Sequence, residues 1–257
     1  MTLADLLAAS ATTVTAADIT LGQLVLQAYA QGDAATPLPV DLSGLGFVFE
    51  DTWMSKGSLE PAVAYGIVAR HPDLGRHLAI RGTDDWREWA EDAEFWPETC
   101  PFAPKGAKTE TGFTSLVLGG FLASGRPASA LLSGGELALD GIEGHSLGAA
   151  IAEGMAARLC VQYAGLWACP RLGNETFRNA LLARVRRVWR PYMVGDGVPG
   201  LPADLEPFFE YLHPPGFQID NPRAQNNPDA RHQLATYLNA LNPNLPLDPG
   251  SIAVRAA

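Results

Sequence analysis

"DGIEGHSLGAA", residues 140–150, is the stretch on which the fold turns. It holds a Gly-x-Ser-x-Gly, with Ser146 between Gly144 and Gly148. Upstream, "ELALDGIEG" (136–144) reads as a strand. Downstream, "SLGAAIAEGMAARLCVQY" (146–163) is Ala-rich and apolar at every third or fourth place, which predicts a helix. A serine that closes a strand and opens a helix sits on a nucleophile elbow, formed here by Gly144, His145, Ser146 and Gly148. The two glycines let the backbone turn sharply and let neighbouring elements approach, and the turn holds Ser146 Oγ exposed. The helix start aims backbone N–H groups at whatever the serine attacks, so the N–H of Leu147 suits an oxyanion. The competing reading is a Gly-rich turn with an idle serine.

Working outward, the same alternation continues. "AADITLGQLVLQAYAQG" places Ile19, Leu24, Leu26 and Tyr29 at helical spacing and stops at Gly32. "FVFEDTW" (47–53), "PAVAYGIVAR" (61–70) and "RHLAIRG" (76–82) read as strands bounded by Gly, Pro and Asp. A helical pattern covers 113–132. After the elbow come a strand at 165–169, a helix at 175–185 and a strand at 186–194. Strands alternating with helices indicate an α/β sheet. With 257 residues, 47% of them hydrophobic, and no internal repeat or long linker, one domain over 1–257 is expected.

Composition excludes several classes of function. The formal net charge is −10, from 18 basic and 28 acidic residues, which disfavours nucleic acid as a partner. The apolar runs stop short of the ~20 residues of a membrane helix. No Lys or Arg precedes the short apolar part of "MTLADLLAASATTVTAADIT", so the charged region of a signal peptide is missing; a cytoplasmic or already processed chain is expected. Cys100, Cys160 and Cys169 show no Cys-x-x-Cys spacing and read as free structural thiols, with neither a disulfide framework nor a metal site.

Six ordered blocks resemble the class 3, or fungal-type, triacylglycerol lipases: "LAIRGTDDWREWAEDAEF" (78–95), "TETGF" (109–113), "GIEGHSLGAAIAEGMA" (141–156), "ACPRLGNETF" (168–177), "GDGVPGLP" (195–202) and "RHQLATYL" (231–238). The likeness spans about residues 45 to 240. It implies an α/β-hydrolase fold, a central mostly parallel sheet flanked by helices, and hydrolysis of esters without metal or organic cofactor. By this resemblance His232 is the catalytic base. His213 matches a second family histidine of structural kind and is the reserve candidate. Asp196, just past the strand at 186–194, matches the family's acid, with Gly197 inserted before Val-Pro. Asp204, Asp220 and Asp229 are the alternatives. The order serine, acid, histidine is the one this fold uses.

Thr83, after Arg81-Gly82, matches the family position that lends its N–H, and often its hydroxyl, to the oxyanion. The competing reading is a β-turn threonine capping the next helix, and both can hold together. Trp86, Trp89, Phe95 and Trp96 lie among six acidic residues in "DDWREWAEDAEFW", and three of the chain's six tryptophans are here. This segment, within 84–100, resembles the lipase lid and suggests transient contact with a lipid interface; the alternative is a helix packed on the core by its aromatic face. Glu143 departs from the small or apolar residue usual at its position and either perturbs the site or faces solvent. His71 and His77 read as surface or strand-end residues.

The expected function is a serine carboxylic-ester hydrolase acting on neutral acyl esters, of lipase or esterase type. A thioesterase or amidase with the same triad is the first rival. A non-catalytic lipid-binding or interaction protein on this fold is the second.

Overall fold

The structure, a computed structural model, describes residues 1–32, 35–56, 62–83, 96–205, 209–220 and 227–244. In chain order its helices and strands are α1 (Leu3–Ala8), α2 (Ala16–Ala28), β1 (Val48–Ser55), β2 (Val63–His71), β3 (Gly75–Ile80), β4 (Pro97–Thr99), β5 (Lys108–Glu110), α3 (Thr111–Leu118), β6 (Phe121–Leu122), β7 (Gly141–His145), α4 (Leu147–Leu159), β8 (Tyr163–Trp167), α5 (Glu175–Arg184), β9 (Arg187–Trp189), β10 (Pro191–Met193), β11 (Phe217–Ile219), α6 (Pro228–His232) and α7 (Leu234–Leu241). Seven strands form one sheet in the order β6-β1-β2-β3-β7-β8-β9.

The sheet has two halves. Among the described residues, β6, β1, β2 and β3 pair antiparallel, while β3, β7, β8 and β9 pair parallel. The parallel character expected from the sequence is therefore confined to the half that carries the elbow. A helix follows β7 and another follows β8, and each returns the chain to a parallel neighbour, whereas the β2–β3 connection is too short for anything but a hairpin.

Alternation along the strands builds a core on each face. In β3, Leu78 and Ile80 join one cluster and Ala79 the other; in β8, Ala164 and Leu166 face one way, Tyr163 and Trp167 the other. The first core is closed by α4, whose Leu147, Ile151, Met155 and Leu159 follow one another at every fourth position, all buried. Burying each such side chain contributes roughly 1.5–3 kcal/mol. The second core is closed by α1, α2 and α7, with Leu21, Leu24 and Val25 of α2 set beside Tyr237 and Leu238 of α7.

Two elements differ from their sequence reading. The helix expected over 113–132 stops at Leu118, because Gly119 and Gly120 follow and Phe121–Leu122 pair with Met54 and Trp53 of β1. Gly120 lies against the Trp53 indole, where a side chain would collide. The strand expected over 186–194 is broken at Arg190: β9 stays in the main sheet with β8, and β10 leaves it to pair with β11. Asp18 of α2 ties this region to the N-terminus. It accepts from Arg187 (2.5 and 3.1 Å) and from the Tyr163 hydroxyl (2.9 Å), and shares a capping box with Thr15. All three cysteines are free, Cys100 and Cys169 buried and Cys160 exposed. Among the described residues no helix is long and apolar enough to cross a membrane.

Candidate active site

Ser146 stands between the end of β7 and the start of α4 with φ 58° and ψ −129°. A non-glycine residue holds a positive φ only where its surroundings enforce it, at a cost of about 1–3 kcal/mol. The enforcement is visible. Ser146 N donates to Trp167 O of β8 (3.0 Å), and its carbonyl accepts from Ala149 N (2.9 Å) in the first turn of α4. A Cβ on Gly144 would collide with the Gly148 carbonyl, and one on Gly148 with the carbonyls of Arg81 and Ile80. The two glycines of the motif thus let α4 lie directly on the ends of β7 and β3.

Ser146 Oγ lies 2.7 Å from His232 Nε2, and His232 Nδ1 lies 3.0 Å from both carboxylate oxygens of Asp196. In this geometry Nδ1–H donates to Asp196, which leaves Nε2 as the acceptor for the serine proton. The acid is itself held: Asp196 Oδ1 accepts from Val198 N (3.0 Å) and Oδ2 from the Tyr237 hydroxyl (2.7 Å). Tyr237 in turn accepts from Met193 N (2.8 Å). Burial, and then the negative charge of Asp196, push the Tyr237 phenol well above its ordinary range, so it remains a donor.

His145 contributes a second histidine without a second charge. Its Nδ1 lies 2.6 Å from the Tyr29 hydroxyl and its Nε2 2.7 Å from the backbone carbonyl of His232. A carbonyl only accepts, so Nε2 carries the proton and Nδ1 accepts from Tyr29. Burial, and then the neighbouring His232, hold the His145 pKa well below that of a free imidazole. It therefore anchors the chain at His232 as a neutral ring.

The chain at Gly82-Thr83 lies against the elbow. A side chain on Gly82 would strike Ser146 Cβ, the Tyr29 hydroxyl and the His145 carbonyl. Thr83 Oγ1 is buried and has no hydrogen-bond partner among the described residues. Leu147 is the first residue of α4, where N–H groups have no intrahelical acceptor. The site thus offers two donors next to a serine, histidine and carboxylate already in line.

Other expectations are corrected. Ser146 is fully buried rather than exposed, covered by the histidine and by the loop at Gly82. Glu143 does not face solvent. It shares the face of β7 that carries His145, and its Oε2 lies 3.0 Å from Nδ1 of His77 on β3. His77, read as a surface or strand-end residue, is fully buried, with Nε2 donating to Leu74 O (3.1 Å). Burial opposes its protonation, but the Glu143 carboxylate outweighs it and raises the pKa.

His213 donates from Nε2 to Pro199 O (2.6 Å), and Asp204 is paired with Arg171 (2.9 Å). Of the expected lid residues, Trp86, Trp89 and Phe95 lie outside the described residues; Trp96 is 63% exposed. Two participants were not singled out for their roles. Tyr29 carried no signal beyond helical spacing, and Tyr237 none beyond its place in the block at 231–238.

Comparison with known proteins bears on this geometry. The family model for Lipase (class 3) matches residues 77–206. Among solved structures, a mutant form of MDLA from Penicillium cyclopium aligns with TM-score 0.59 and 20% identity over 82% of this chain and 83% of that one. A triacylglyceride lipase of Rhizomucor miehei aligns with TM-score 0.57 and 20% identity over 80% and 81%. A triacylglycerol lipase described as having a serine protease triad at its catalytic centre aligns with TM-score 0.58 and 22% identity over 80% and 82%. At such identities the likeness is one of fold. No curated protein matches the sequence.

Proposed function

This chain belongs to the class 3 lipase family and is a carboxylic ester hydrolase of α/β-hydrolase fold, and from that premise we propose that it cleaves neutral acyl esters through Ser146, His232 and Asp196 by way of an acyl-enzyme. The observation that carries the reading is the unbroken line of hydrogen bonds from Ser146 Oγ through His232 to Asp196, at 2.7 and 3.0 Å. The structural neighbour described as having a serine protease triad is consistent with it.

In this mechanism His232 Nε2 takes the Ser146 proton as Oγ attacks the ester carbonyl, and Asp196 stabilises the resulting imidazolium. The N–H groups of Leu147 and Thr83, with the Thr83 hydroxyl, receive the charge on the tetrahedral oxygen. The imidazolium then gives its proton to the departing alcohol, and water attacks the acyl-enzyme with the same histidine as base. The chain's acidic surface favours uncharged substrates over anionic ones. Contact with a lipid interface through the segment at 84–100 belongs to this reading.

The test is hydrolysis of a p-nitrophenyl ester series from short to long acyl chains by wild type, Ser146→Ala, His232→Ala and His213→Ala. Loss of turnover in the first two variants, with activity kept in the third, is the expected result. Equal loss in His213→Ala and full activity in His232→Ala would reverse the assignment of the base. Turnover of thioesters or amides with no ester hydrolysis would replace the substrate class.

A further inference from the structure

At the end of α4 remote from Ser146, beside α3 and the edge strand β6, lies a depression of about 170 Å³. Ser146 precedes the first residue of α4 and Arg158 stands in its last turn, so the two are about 18 Å apart along the helix axis. The floor is apolar, built from the buried Trp53, Val117, Leu131, Met155 and Leu159. The rim is apolar as well, since Phe121 and Leu132 line it while 41% and 42% exposed. The volume is close to the ~150 Å³ at which an apolar cavity takes up a benzene-sized guest, and below the roughly 300 Å³ where sites for drug-sized ligands begin. It suits a short aliphatic chain.

Arg158 is the one charged side chain among the described lining residues. Its Nη1 donates to Val117 O (2.9 Å), one of the carbonyls left without an intrahelical donor at the end of α3. Val117 lines the depression too, so this bond holds the guanidinium at the wall. The cap occupies one of the five N–H groups of the arginine, and the others have no acceptor among the described residues. Acidic groups on neighbouring segments are engaged elsewhere: Asp51 and Glu136 each face Arg126 at 3.4 Å, and Glu153 accepts from Cys169 (3.5 Å).

A cation beside an apolar recess answers a ligand with an anionic head and an aliphatic tail. A neutral guest leaves the guanidinium unanswered, and an inorganic anion leaves the recess unfilled. A planar guanidinium fits a carboxylate through two parallel hydrogen bonds. One cation balances one negative charge, and a chain of net charge −10 offers little to a phosphate monoester carrying about −1.5 to −2.

We propose that the depression at the end of α4 binds the anion of a short-chain aliphatic carboxylic acid, its tail over Trp53 and Met155 and its carboxylate on Arg158. Such an acid is also what an ester hydrolase releases, which makes this a second place for product, separate from Ser146. The proposal does not depend on the assignment of the triad.

The test is calorimetric titration of the full chain with acetate, butyrate, hexanoate, hexanol and butyl phosphate, with ionic strength held constant by chloride. Saturable carboxylate binding is expected, strengthening about fourfold for each methylene until the recess is filled. Hexanol and butyl phosphate should bind more weakly than the carboxylates of matching chain. Arg158→Gln removes the charge and is expected to weaken hexanoate binding at least about tenfold. Ser129→Glu places a carboxylate at an exposed lining position and is expected to weaken it as well; it decides the matter if Arg158→Gln fails to fold. Neither substitution touches the ester-cleaving residues, so a hexanoate site at Ser146 alone would be left unchanged by both. The proposal is overturned by absence of saturable carboxylate binding, by affinity that does not rise from acetate to butyrate, by hexanol or butyl phosphate binding as tightly as its carboxylate counterpart, or by hexanoate binding unchanged in the folded variants.

Discussion

Replacing Thr83 by Val is expected to move stability and catalysis in opposite directions. The exchange is nearly isosteric and leaves the backbone N–H in place. In the resting protein the Thr83 hydroxyl is buried with no partner among the described residues, so no hydrogen bond is lost. A buried hydroxyl left unsatisfied costs roughly 1–3 kcal/mol, and the valine removes that cost. For a chain of this length each kcal/mol raises the melting temperature by about 2–4 °C. In the proposed mechanism the same hydroxyl faces the oxyanion in the transition state, and loss of one such donor costs about 2.7–4 kcal/mol, a fall in kcat of roughly 10² to 10³. The ground-state ester gains little from that donor, so KM should hardly change. The assay pairs urea unfolding with steady-state hydrolysis of a p-nitrophenyl ester at saturating concentration. An unchanged kcat would refute the role of the hydroxyl, and a lowered urea midpoint would refute its idleness in the resting state.

Three further expectations follow from the same packing. Tyr29→Phe removes the donor to His145 Nδ1 and loosens the anchor on the His232 carbonyl; a fall in kcat of about tenfold with KM unchanged is expected, and a change confined to KM would contradict it. Glu153→Gln should stabilise the protein in a defined pH window. Below the ordinary carboxylate pKa of 4.5 both folded and unfolded chains hold the Glu153 proton, and above it the unfolded chain releases the proton while the folded one keeps it up to about 8. Wild-type stability therefore falls across that interval, and the variant's advantage should grow by about 5 kcal/mol from pH 4.5 to 8 in urea titrations; a constant difference would contradict the assignment. Asp18→Asn leaves the buried Arg187 without its counter-charge, with an expected loss of about 3–5 kcal/mol in the same assay; a loss below about 1 kcal/mol would mean that Arg187 finds another partner.

Local chemistry made the elbow legible. Two glycines around Ser146, a strand before and an Ala-rich run after can be read without any distant residue, and the parallel half of the sheet follows from the alternation around them. The antiparallel half was less visible, because short apolar runs such as 61–70 do not declare their direction. What failed was what only tertiary packing decides. Glu143 and His77 look like solvent-facing residues in isolation, yet each lies on a strand face covered by α2, and they satisfy one another there. The helix at 113 was overextended because apolar periodicity continued past Gly119, where the chain instead turned to pair with β1. The hydroxyls of Tyr29 and Tyr237 reach the site across the fold, and a single sequence carries no sign of such a reach.

The hydrogen bonds of the site join residues far apart in the chain: Ser146 and His232 are separated by 86 positions, and Tyr29 and His145 by 116. Closing such loops is among the last steps in assembling a chain, because their entropy is lost before their contacts form. The sheet and its helices owe most of their circular dichroism to closer neighbours. Recovery of ester hydrolysis during refolding should therefore trail recovery of secondary structure, and enzymatic turnover becomes the strictest available gauge of whether both ends of the chain have come home.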